Sequence, residues 1–234
     1  MINSTLLGPW IKRFLVEYLI SVKNFSSNTR RSYRDAFCLL LPFMARQTRK
    51  VIDQLTVDDI SPERLRLFLV DLEQTRRSSI ASRNQRLAAI HSLSQFIGLY
   101  SPEHIQWCGE IRAIPIKKAP RPLIPYLEKV EMDALLGAAE GAIPQQRRDH
   151  ALLLFLYNTG ARADEAAQLT IADLDLAHAP RRDHSSVVIR GKGNKLRRCP
   201  LWQQTVNEIT PLIKGRDPTE HVFLNRCKQP ITRF

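Results

Sequence analysis

Cysteine is scarce in these 234 residues, and its four positions lie far apart in the chain. Cys38, Cys108, Cys199 and Cys227 form no CxxC pair, so the spacing favours neither a zinc framework nor a disulfide framework. Reduced, mostly buried thiols in a cytoplasmic protein fit this pattern best. We expect no bound metal ion.

Long apolar runs are also missing. The apolar run Ala151–Tyr157 is far shorter than the stretch that crosses a bilayer. The first ten residues, Met1–Trp10, have neither the basic segment nor the apolar segment of a secretion signal. The sequence therefore predicts a cytoplasmic protein that makes no use of a membrane.

Acidic residues are outnumbered. Lysine and arginine total 35 against 23 aspartates and glutamates, which gives a net charge of +12 and a pI near 10.0. Such an excess favours a polyanionic partner, and nucleic acid is preferred over a charge that only keeps the protein soluble. With 44% hydrophobic residues the chain can bury a core, so wholesale disorder is excluded.

Helical patterns dominate the first part of the chain. From Trp10 to Gly98 apolar residues recur at helical spacing, and strand signals are missing. Ser61 followed by Pro62 is typical of a helix start, and Ser78 or Ser79 opens a further helix. We predict a compact domain of four helices over residues 1–112.

Proline marks two breaks in this part of the sequence. Pro42 is predicted to kink or end a helix over Thr29–Met44. Residues 113–125 are rich in proline, which fixes an extended path and blocks helix formation. We predict that this segment is a linker, and that its cations follow a phosphate backbone: Lys117, Lys118 and Arg121.

The remaining residues, 126–234, mix helices with a few strands. In the first predicted helix, Val130, Leu135 and Leu136 are expected to face inward. Turn residues between two β-branched or apolar segments predict a hairpin. The predicted helices cover 128–139, 148–158, 161–169 and 205–213, and the predicted strands cover 186–190 and 196–201. The expected class is mainly α with a small β-hairpin or sheet.

Thr159 to Glu165 is the first candidate for chemistry. Arg162 follows a glycine break, and Glu165 lies three residues further on the same predicted helix face. A carboxylate in that position can hold a guanidinium ready for bidentate contact with a phosphate. Taken alone, the pair is as well explained by an ordinary surface ion pair.

Arg190 to Lys195 is the second candidate. Lys192 stands between two glycines at the predicted hairpin tip, where the backbone can approach a partner closely. The glycine and lysine spacing does not match a Walker P-loop. Alone, this motif is also explained by a solvated hairpin tip.

The order of these motifs changes their weight. A buried helix, T-G-x-R-x-x-E, then a strand, G-K-G-N-K and a second strand ending in Pro200 and Leu201 resembles the tyrosine recombinase, or phage integrase, family. The resemblance implies an N-terminal four-helix, SAM-like core-binding domain over residues 1–112. It also implies a partial α+β catalytic domain over residues 126–234.

The resemblance assigns roles to three residues. Arg162 would clamp the non-bridging oxygens of the scissile phosphate and stabilise its developing charge. Lys192 would protonate the departing 5′ oxygen as a general acid, and Glu165 would buttress the site. Family members join DNA through a 3′-phosphotyrosine, need no metal or nucleotide cofactor, and act as tetramers on double-stranded DNA.

The sequence departs from the family pattern after Lys192. The family continues with an H-x-x-R segment and a tyrosine nucleophile, but the tyrosines here end at Tyr157, which is predicted to be a core residue. His221 does not begin an H-x-x-R segment. We expect a C-terminally truncated recombinase that cannot cleave or join DNA. A non-catalytic DNA-binding remnant or regulator is the alternative, and an unrelated helical scaffold with a basic face is a third.

DNA binding does not require the missing part. Arginines gather near the predicted starts of two N-terminal helices, where phosphate contacts are common, although each alone is equally explained by a solvated basic face. Together with the linker cations and Lys195 they would form part of a clamp around duplex DNA: Arg30, Arg31, Arg34, Arg76, Arg77, Arg83 and Arg86.

Overall fold

The fold is described from a computed structural model of the chain. The structure describes residues 5–120, 125–176 and 185–232. The chain divides into two compact units, Met1–Leu123 and Ile124–Phe234. Each unit has its own hydrophobic core, as expected when a chain of this length forms two domains. The boundary lies within the predicted linker.

The first unit is helical. Its α-helices are α1 (Leu7–Arg13, continued by a wider π-helical segment over Phe14–Val22), α2 (Ser27–Thr48), α3 (Pro62–Gln74), α4 (Ile80–Tyr100) and α5 (Ile105–Arg112). Three of the starts are capped by serine hydroxyls that accept a backbone N–H of the first turn. The distances to the donor nitrogens are 3.3, 3.3 and 3.2 Å for Ser26, Ser61 and Ser79 respectively.

Two details of the predicted helices are corrected. Helix α2 runs through Pro42 to Thr48, so the proline does not end it. Leu40, Phe43 and Met44 around the proline are buried. Burial of such side chains contributes about 1.5–3 kcal/mol each, which together outweighs the roughly 3 kcal/mol cost of an internal proline. The short helix α5 was not predicted.

Aromatic rings fill the middle of the first unit. Phe14 is fully buried and lies between the rings of Tyr18, Tyr33, Phe37 and Phe96, with centroid distances of 5.8, 6.1, 6.0 and 5.5 Å. This cluster joins α1 and its continuation to α2 and α4. The first unit is therefore held chiefly by apolar packing.

The second unit combines helices with a three-stranded antiparallel sheet in the order β1-β2-β3. Its elements are α6 (Lys129–Ala139), α7 (Pro144–Thr159), α8 (Ala163–Ala167), β1 (Leu174–Asp175), β2 (Ser186–Arg190), β3 (Leu196–Pro200) and α9 (Gln203–Ile213). In the predicted hairpin, Val188 pairs with Arg198 and Arg190 with Leu196. The mainly α class with a small sheet is confirmed, and β1 was not predicted.

Other burial predictions fail in this unit. Helix α6 is described throughout and contains no buried residue. Val130 is 79% exposed and Leu135 is 42% exposed, so the inward face predicted for α6 is wrong. Tyr157 is 42% exposed and meets the edge of Trp202, so it is not a core residue.

All four cysteines are free thiols, with Cys38 and Cys227 exposed, so the expectation of mostly buried thiols is wrong. Within residues 5–120, 125–176 and 185–232, no helix is both long and apolar enough to cross a membrane. Among those same residues, no cluster of histidine, cysteine and carboxylate side chains could hold a metal ion.

Candidate active site and nucleic-acid interface

The backbone around Gly160 presents Arg162 at the start of a short helix. Helix α7 ends at Thr159 and is followed by Gly160, whose φ of +60° is the left-handed conformation that terminates many helices. The Thr159 hydroxyl donates to the Phe155 carbonyl at 2.7 Å and accepts from the Ala161 N–H at 3.3 Å. Arg162 is extended and caps α8, which begins at Ala163. The predicted helix start at Ala161 is corrected accordingly.

Glu165 is the central residue of the candidate active site. Its Oε1 accepts from Arg162 Nη1 at 2.7 Å, and its Oε2 accepts from the Arg162 backbone N–H at 3.0 Å. Oε2 also accepts from Arg197 Nη2 at 2.7 Å. The carboxylate side chain is only 7% exposed, whereas the Arg162 side chain is 71% exposed. The guanidinium of Arg162 is therefore held by Glu165, while most of the Arg162 side chain is open to solvent.

The charge of Glu165 is strongly favoured. The hydrogen bond from Arg197, opposed by burial and assisted by the two donors of Arg162, lowers the pKa of Glu165 to about 2. A carboxylate with such partners stays ionised at neutral pH. It holds both guanidinium groups in place without a change of protonation near physiological conditions.

Lys192 lies in the turn between β2 and β3. The turn closes through a hydrogen bond from the Gly191 N–H to the Lys195 carbonyl at 2.8 Å. Gly193 and Asn194 have φ values of +76° and +62°, which glycine and asparagine tolerate best. Lys192 and Lys195 are both exposed. The turn thus presents the predicted lysine to solvent, as the sequence pattern indicated.

The base of this turn lies directly against Glu165. A Cβ atom added to Gly191 would stand 3.2 Å from Glu165 Oε1 and 3.3 Å from Arg197 Nη1. Such contacts are tighter than ordinary van der Waals packing, so the missing side chain of Gly191 lets the hairpin approach the ion pair. The arginine motif and the hairpin motif, which are 30 residues apart in the sequence, meet at this carboxylate.

A second polar link holds the other end of the hairpin. The Asn158 side chain on α7 donates to the Pro200 carbonyl at 3.2 Å. Its oxygen accepts from the Trp202 N–H at 2.9 Å and from the Thr205 hydroxyl at 3.0 Å. One side chain therefore fixes the end of β3 and the start of α9 relative to the helix that precedes Arg162.

Arg197 and Asn158 were not singled out from the sequence. Arg197 is one of several cations after the glycine turn, and its contact with Glu165 spans 32 positions. The only available signal was the alternation of faces along a strand. Arg197 is partly covered on β3, whereas its neighbour Arg198 is exposed. Asn158 precedes the Thr159–Gly160 motif and carried no pattern of its own.

In the first unit, the starts of α2 and α4 lie next to each other. Gln85 Nε2 on α4 donates to the Ser32 hydroxyl on α2 at 2.6 Å. This contact brings four of the predicted DNA-binding arginines to one end of the unit: Arg30, Arg31, Arg34 and Arg86. Arg31 and Arg34 are exposed. The Nε of Arg30 is buried and has no hydrogen-bond partner among the described residues.

Arg34 and Arg86 already have partners within the protein. Arg34 pairs with Asp35 at 2.8 Å, where both side chains are largely exposed, and its hydrogen bond to Asp35 raises its pKa. Arg86 donates to the Ser82 carbonyl at 3.0 Å. An exposed ion pair of this kind contributes little to stability, so Arg34 can exchange Asp35 for a phosphate at small cost.

Two of the residues predicted to contact DNA also have partners within the unit. Arg83 is buried, lies 3.5 Å from Glu73, and donates to the Pro115 carbonyl at 3.3 Å. Lys117 lies 2.5 Å from the same Glu73, and Asn84 bonds both the N–H and the carbonyl of Lys117. These contacts fasten the first residues of the predicted linker to α4. Arg83 is therefore placed to hold the backbone rather than to present a charge.

The other predicted contacts are more open. Arg76 lies 3.6 Å from Asp71 and follows α3. Arg77 is exposed with a φ of +49°, and Lys118 is exposed. Arg121 lies outside the described residues. The structure thus supplies exposed cations after α3 and at the starts of α2 and the linker.

Comparison with known proteins defines the class of protein. The model for the phage integrase N-terminal SAM-like domain matches residues 11–98, and that for the phage integrase family matches residues 125–234. The protein y4rD of Sinorhizobium fredii, by name an integrase/recombinase, is 34% identical over 238 residues, which cover 100% of this chain and 83% of y4rD. The chain belongs to the phage integrase family of tyrosine-type site-specific recombinases.

Solved structures share the fold. The XerH site-specific recombinase bound to a palindromic difH substrate has a TM-score of 0.65 at 20% identity, over 90% of this chain and 60% of that chain. A λ integrase tetramer bound to a Holliday junction has a TM-score of 0.66 at 12% identity, over 97% and 62% respectively. The chain therefore spans less than two thirds of these two solved chains. The SAM-like fold of the first unit and the partial catalytic fold of the second are confirmed.

Proposed function

We propose that this chain binds double-stranded DNA and supplies the first half of a tyrosine recombinase active site. The observation that carries the proposal is the arrangement around Glu165, which anchors the exposed guanidinium of Arg162 and the base of the Lys192 hairpin. A fixed and solvent-facing guanidinium is suited to bidentate contact with a phosphate. The family membership supports the same role.

The proposed chemistry divides between two side chains. Arg162 binds the non-bridging oxygens of the scissile phosphate and stabilises the negative charge that grows on them in the transition state. Lys192 gives a proton to the departing 5′ oxygen. Glu165 does not touch the phosphate in this proposal, because both of its oxygens are occupied by arginine donors.

We propose further that a polypeptide of these 234 residues does not cleave DNA by itself. In full-length family members the attack comes from a tyrosine that follows the hairpin lysine. The tyrosines of this sequence are Tyr18, Tyr33, Tyr100, Tyr126 and Tyr157, all before Lys192.

The first unit would provide the DNA contacts that lie outside the candidate active site. We assign this role first to the exposed Arg31, Arg34 and Arg77, then to Arg30, Arg76, Arg86 and the linker cations Lys117, Lys118 and Arg121. Lys195 would extend the contact on the second unit. Arg83 remains in the proposed set as a residue that positions the linker. The partner is duplex DNA in the cytoplasm, and assembly into tetramers is proposed from the family.

Binding by purified protein tests the phosphate contact. We expect Arg162→Ala to weaken binding of a labelled duplex roughly 10- to 150-fold, because one charge-assisted contact contributes roughly 1.5–3 kcal/mol. Arg226→Ala is the matched control, since Arg226 is an exposed cation of the same unit outside the site. Equal affinities of the two variants and the unaltered chain would remove Arg162 from the proposed interface.

A denaturing gel tests the absence of cleavage. The chain is incubated with nicked and intact duplexes carrying a 3′ or 5′ label, and covalent protein–DNA species are sought after heating in detergent. We expect no adduct and no new nick. A stable adduct formed by these 234 residues would contradict the non-catalytic proposal and would reveal a nucleophile other than a tyrosine that follows Lys192.

A further inference from the structure

Glu165 uses its two oxygens for two different parts of the site. Oε1 faces the guanidinium of Arg162 at 2.7 Å, and Oε2 faces Arg197 Nη2 at 2.7 Å. Arg197 lies on β3, two residues after Lys195. The carboxylate thus joins the helix start that presents Arg162 to the strand that leaves the lysine turn.

The backbone at Gly191 approaches both members of this ion pair closely. Gly191 begins the turn, and its α-carbon lies so close to Glu165 and Arg197 that a methyl group would stand 3.2 and 3.3 Å from their polar atoms. The first and last residues of the turn are tied by the bond from Gly191 N–H to Lys195 O at 2.8 Å. Gly191 is therefore in contact with the Glu165–Arg197 pair and hydrogen-bonded to the other end of the turn.

We propose that Arg197 is a positioning residue, which holds the Lys192 turn in a fixed place relative to Arg162 through Glu165. This inference rests on the proposed function, in which Arg162 and Lys192 act on the same phosphate and therefore need a fixed spacing. Arg197 itself is set back from solvent, with its side chain 37% exposed against 71% for Arg162. It acts through the carboxylate rather than on the DNA.

The pKa values of Glu165 and Arg197 also support a link between these two side chains. Arg197 is the largest cause of the lowered pKa of Glu165, and Glu165 in turn raises the pKa of Arg197. The carboxylate is 7% exposed, so loss of the arginine would leave it with one guanidinium and a poorly solvated charge. Such a group shifts its pKa or its position.

Backbone amide exchange in the DNA-free protein tests the proposal. Arg197→Met keeps the length of the side chain and removes its charge and its hydrogen-bond donors. We expect the Gly191 amide, which donates to the Lys195 carbonyl, to exchange about tenfold faster, as in a segment that opens locally at lower free energy. Arg198→Met is the matched control, because Arg198 is the adjacent residue of β3 and pairs with Asp175 at 3.4 Å on the exposed side.

Two further readouts separate positioning from a general loss of stability. The Glu165 carboxyl, followed by ¹³C NMR, is expected to titrate near its value of about 2 in the unaltered chain and closer to the ordinary 4.5 in Arg197→Met. Arg197→Lys, which restores the charge, should return part of the turn protection. If Arg197→Met fails to fold, Arg197→Lys decides the question: protection of the turn below that of Arg198→Met supports positioning.

Unchanged turn exchange in a folded Arg197→Met variant would overturn the proposal, as would equal changes in Arg197→Met and Arg198→Met. DNA affinity is measured separately on the same variants. If the chain does not bind DNA, the proposed function fails, but the exchange result still shows whether Arg197 holds the turn. The two failures are therefore distinguishable.

Discussion

The two units of this chain are similar in length but are stabilised differently. The first unit packs a continuous core that includes five phenylalanines, two tryptophans and a tyrosine. The second unit has a smaller core with two phenylalanines, and its first helix, α6, contains no buried residue. Large aromatic side chains are more numerous in the first core, whereas the second unit combines a smaller core with side-chain hydrogen bonds that join α7 and α8 to β3.

The polar contacts of the second unit lie at the candidate active site. In the second unit, Glu165 joins α8 to β3, and Asn158 joins α7 to the end of β3. Directional bonds of this kind fix positions more narrowly than apolar contacts do, but each contributes only about 0.5–3 kcal/mol. The polar contacts of Glu165 and Asn158 therefore define the geometry of the site-bearing unit, while the larger aromatic core gives the first unit more stabilisation from packing.

The largest effect is expected from removing an aromatic ring in the first unit. Phe14→Ala should lower the free energy of unfolding of that unit by about 3–5 kcal/mol, because it leaves a cavity among four rings. Urea unfolding in a Trp202→Phe background reports on the first unit, since Trp10 and Trp107 both lie there. The fluorescence midpoint is the measured quantity.

Val16→Ala is the control for that loss. Val16 lies in the same helical segment but is 57% exposed, so its effect should stay within about 0.5 kcal/mol. If both variants unfold at the same urea concentration, the first unit is not held by its aromatic core, and the contrast between the units disappears.

The next largest effect concerns Glu165 and acid. Its pKa is about 2 in the folded chain against an ordinary value of 4.5, so the unfolded state binds more protons in this range. The stabilisation from this group is fully present above about pH 4.5 and is lost as the pH falls from there through about 2. Glu165→Gln should remove roughly 1–3 kcal/mol at pH 7 and flatten this part of the acid dependence.

Asp164→Asn provides the comparison for that experiment. Asp164 adjoins Glu165 but is exposed, so neutralising it should change stability at neutral pH by less than about 0.5 kcal/mol. The quantity measured is the unfolding free energy of the second unit between pH 2 and pH 7, followed by the fluorescence that each variant loses when Trp202 is replaced by phenylalanine. A Glu165→Gln variant with the unaltered acid dependence would contradict the described ion pairs.

A smaller effect is expected at Asn158. Asn158→Ala removes three hydrogen bonds between α7 and the segment around Pro200 and should cost about 1–2 kcal/mol. The loss should be confined to the second unit. The unfolding midpoint of the second unit should therefore fall, whereas the midpoint of the first unit should not change. A shift of both units would show that they do not unfold separately.

The smallest effect is expected on α6. Val130→Ala should change the stability of this chain by less than about 0.5 kcal/mol, since Val130 is 79% exposed. Leu154→Ala on α7 is the buried counterpart, at 1% exposed, with an expected cost of about 2–5 kcal/mol. A large loss of stability in Val130→Ala would mean that Val130 is buried against another surface when the protein is in solution.

Local signals in the sequence were the reliable ones. Ser61 and Ser79 cap helices, and Gly160 ends α7, because capping and left-handed turns depend on a few neighbouring residues. The lysine turn was predictable for the same reason. The helix over Thr29–Met44 was predicted to kink or end at Pro42, since its continuation to Thr48 depends on burial against other elements.

Long-range contacts were not predictable in this way. Arg197 differs from its neighbour Arg198 only through the strand register, which sets one against Glu165 and leaves the other exposed. The periodicity of α6 predicted burial of Val130, Leu135 and Leu136, because an apolar stripe is the same in sequence whether or not a partner element covers it. Arg162 and Lys192 could be chosen only because their order resembles a known family.

The salt dependence of duplex binding tests the central claim most directly. Anisotropy of a labelled duplex is measured with the 234-residue chain at several salt concentrations. We predict that the logarithm of the association constant falls linearly with the logarithm of salt concentration, with a slope of about −0.9 for each phosphate contact, and that Arg31→Ala and Arg162→Ala each reduce its magnitude by about one contact. Affinity that is independent of salt, or slopes unchanged in both variants, would contradict the account.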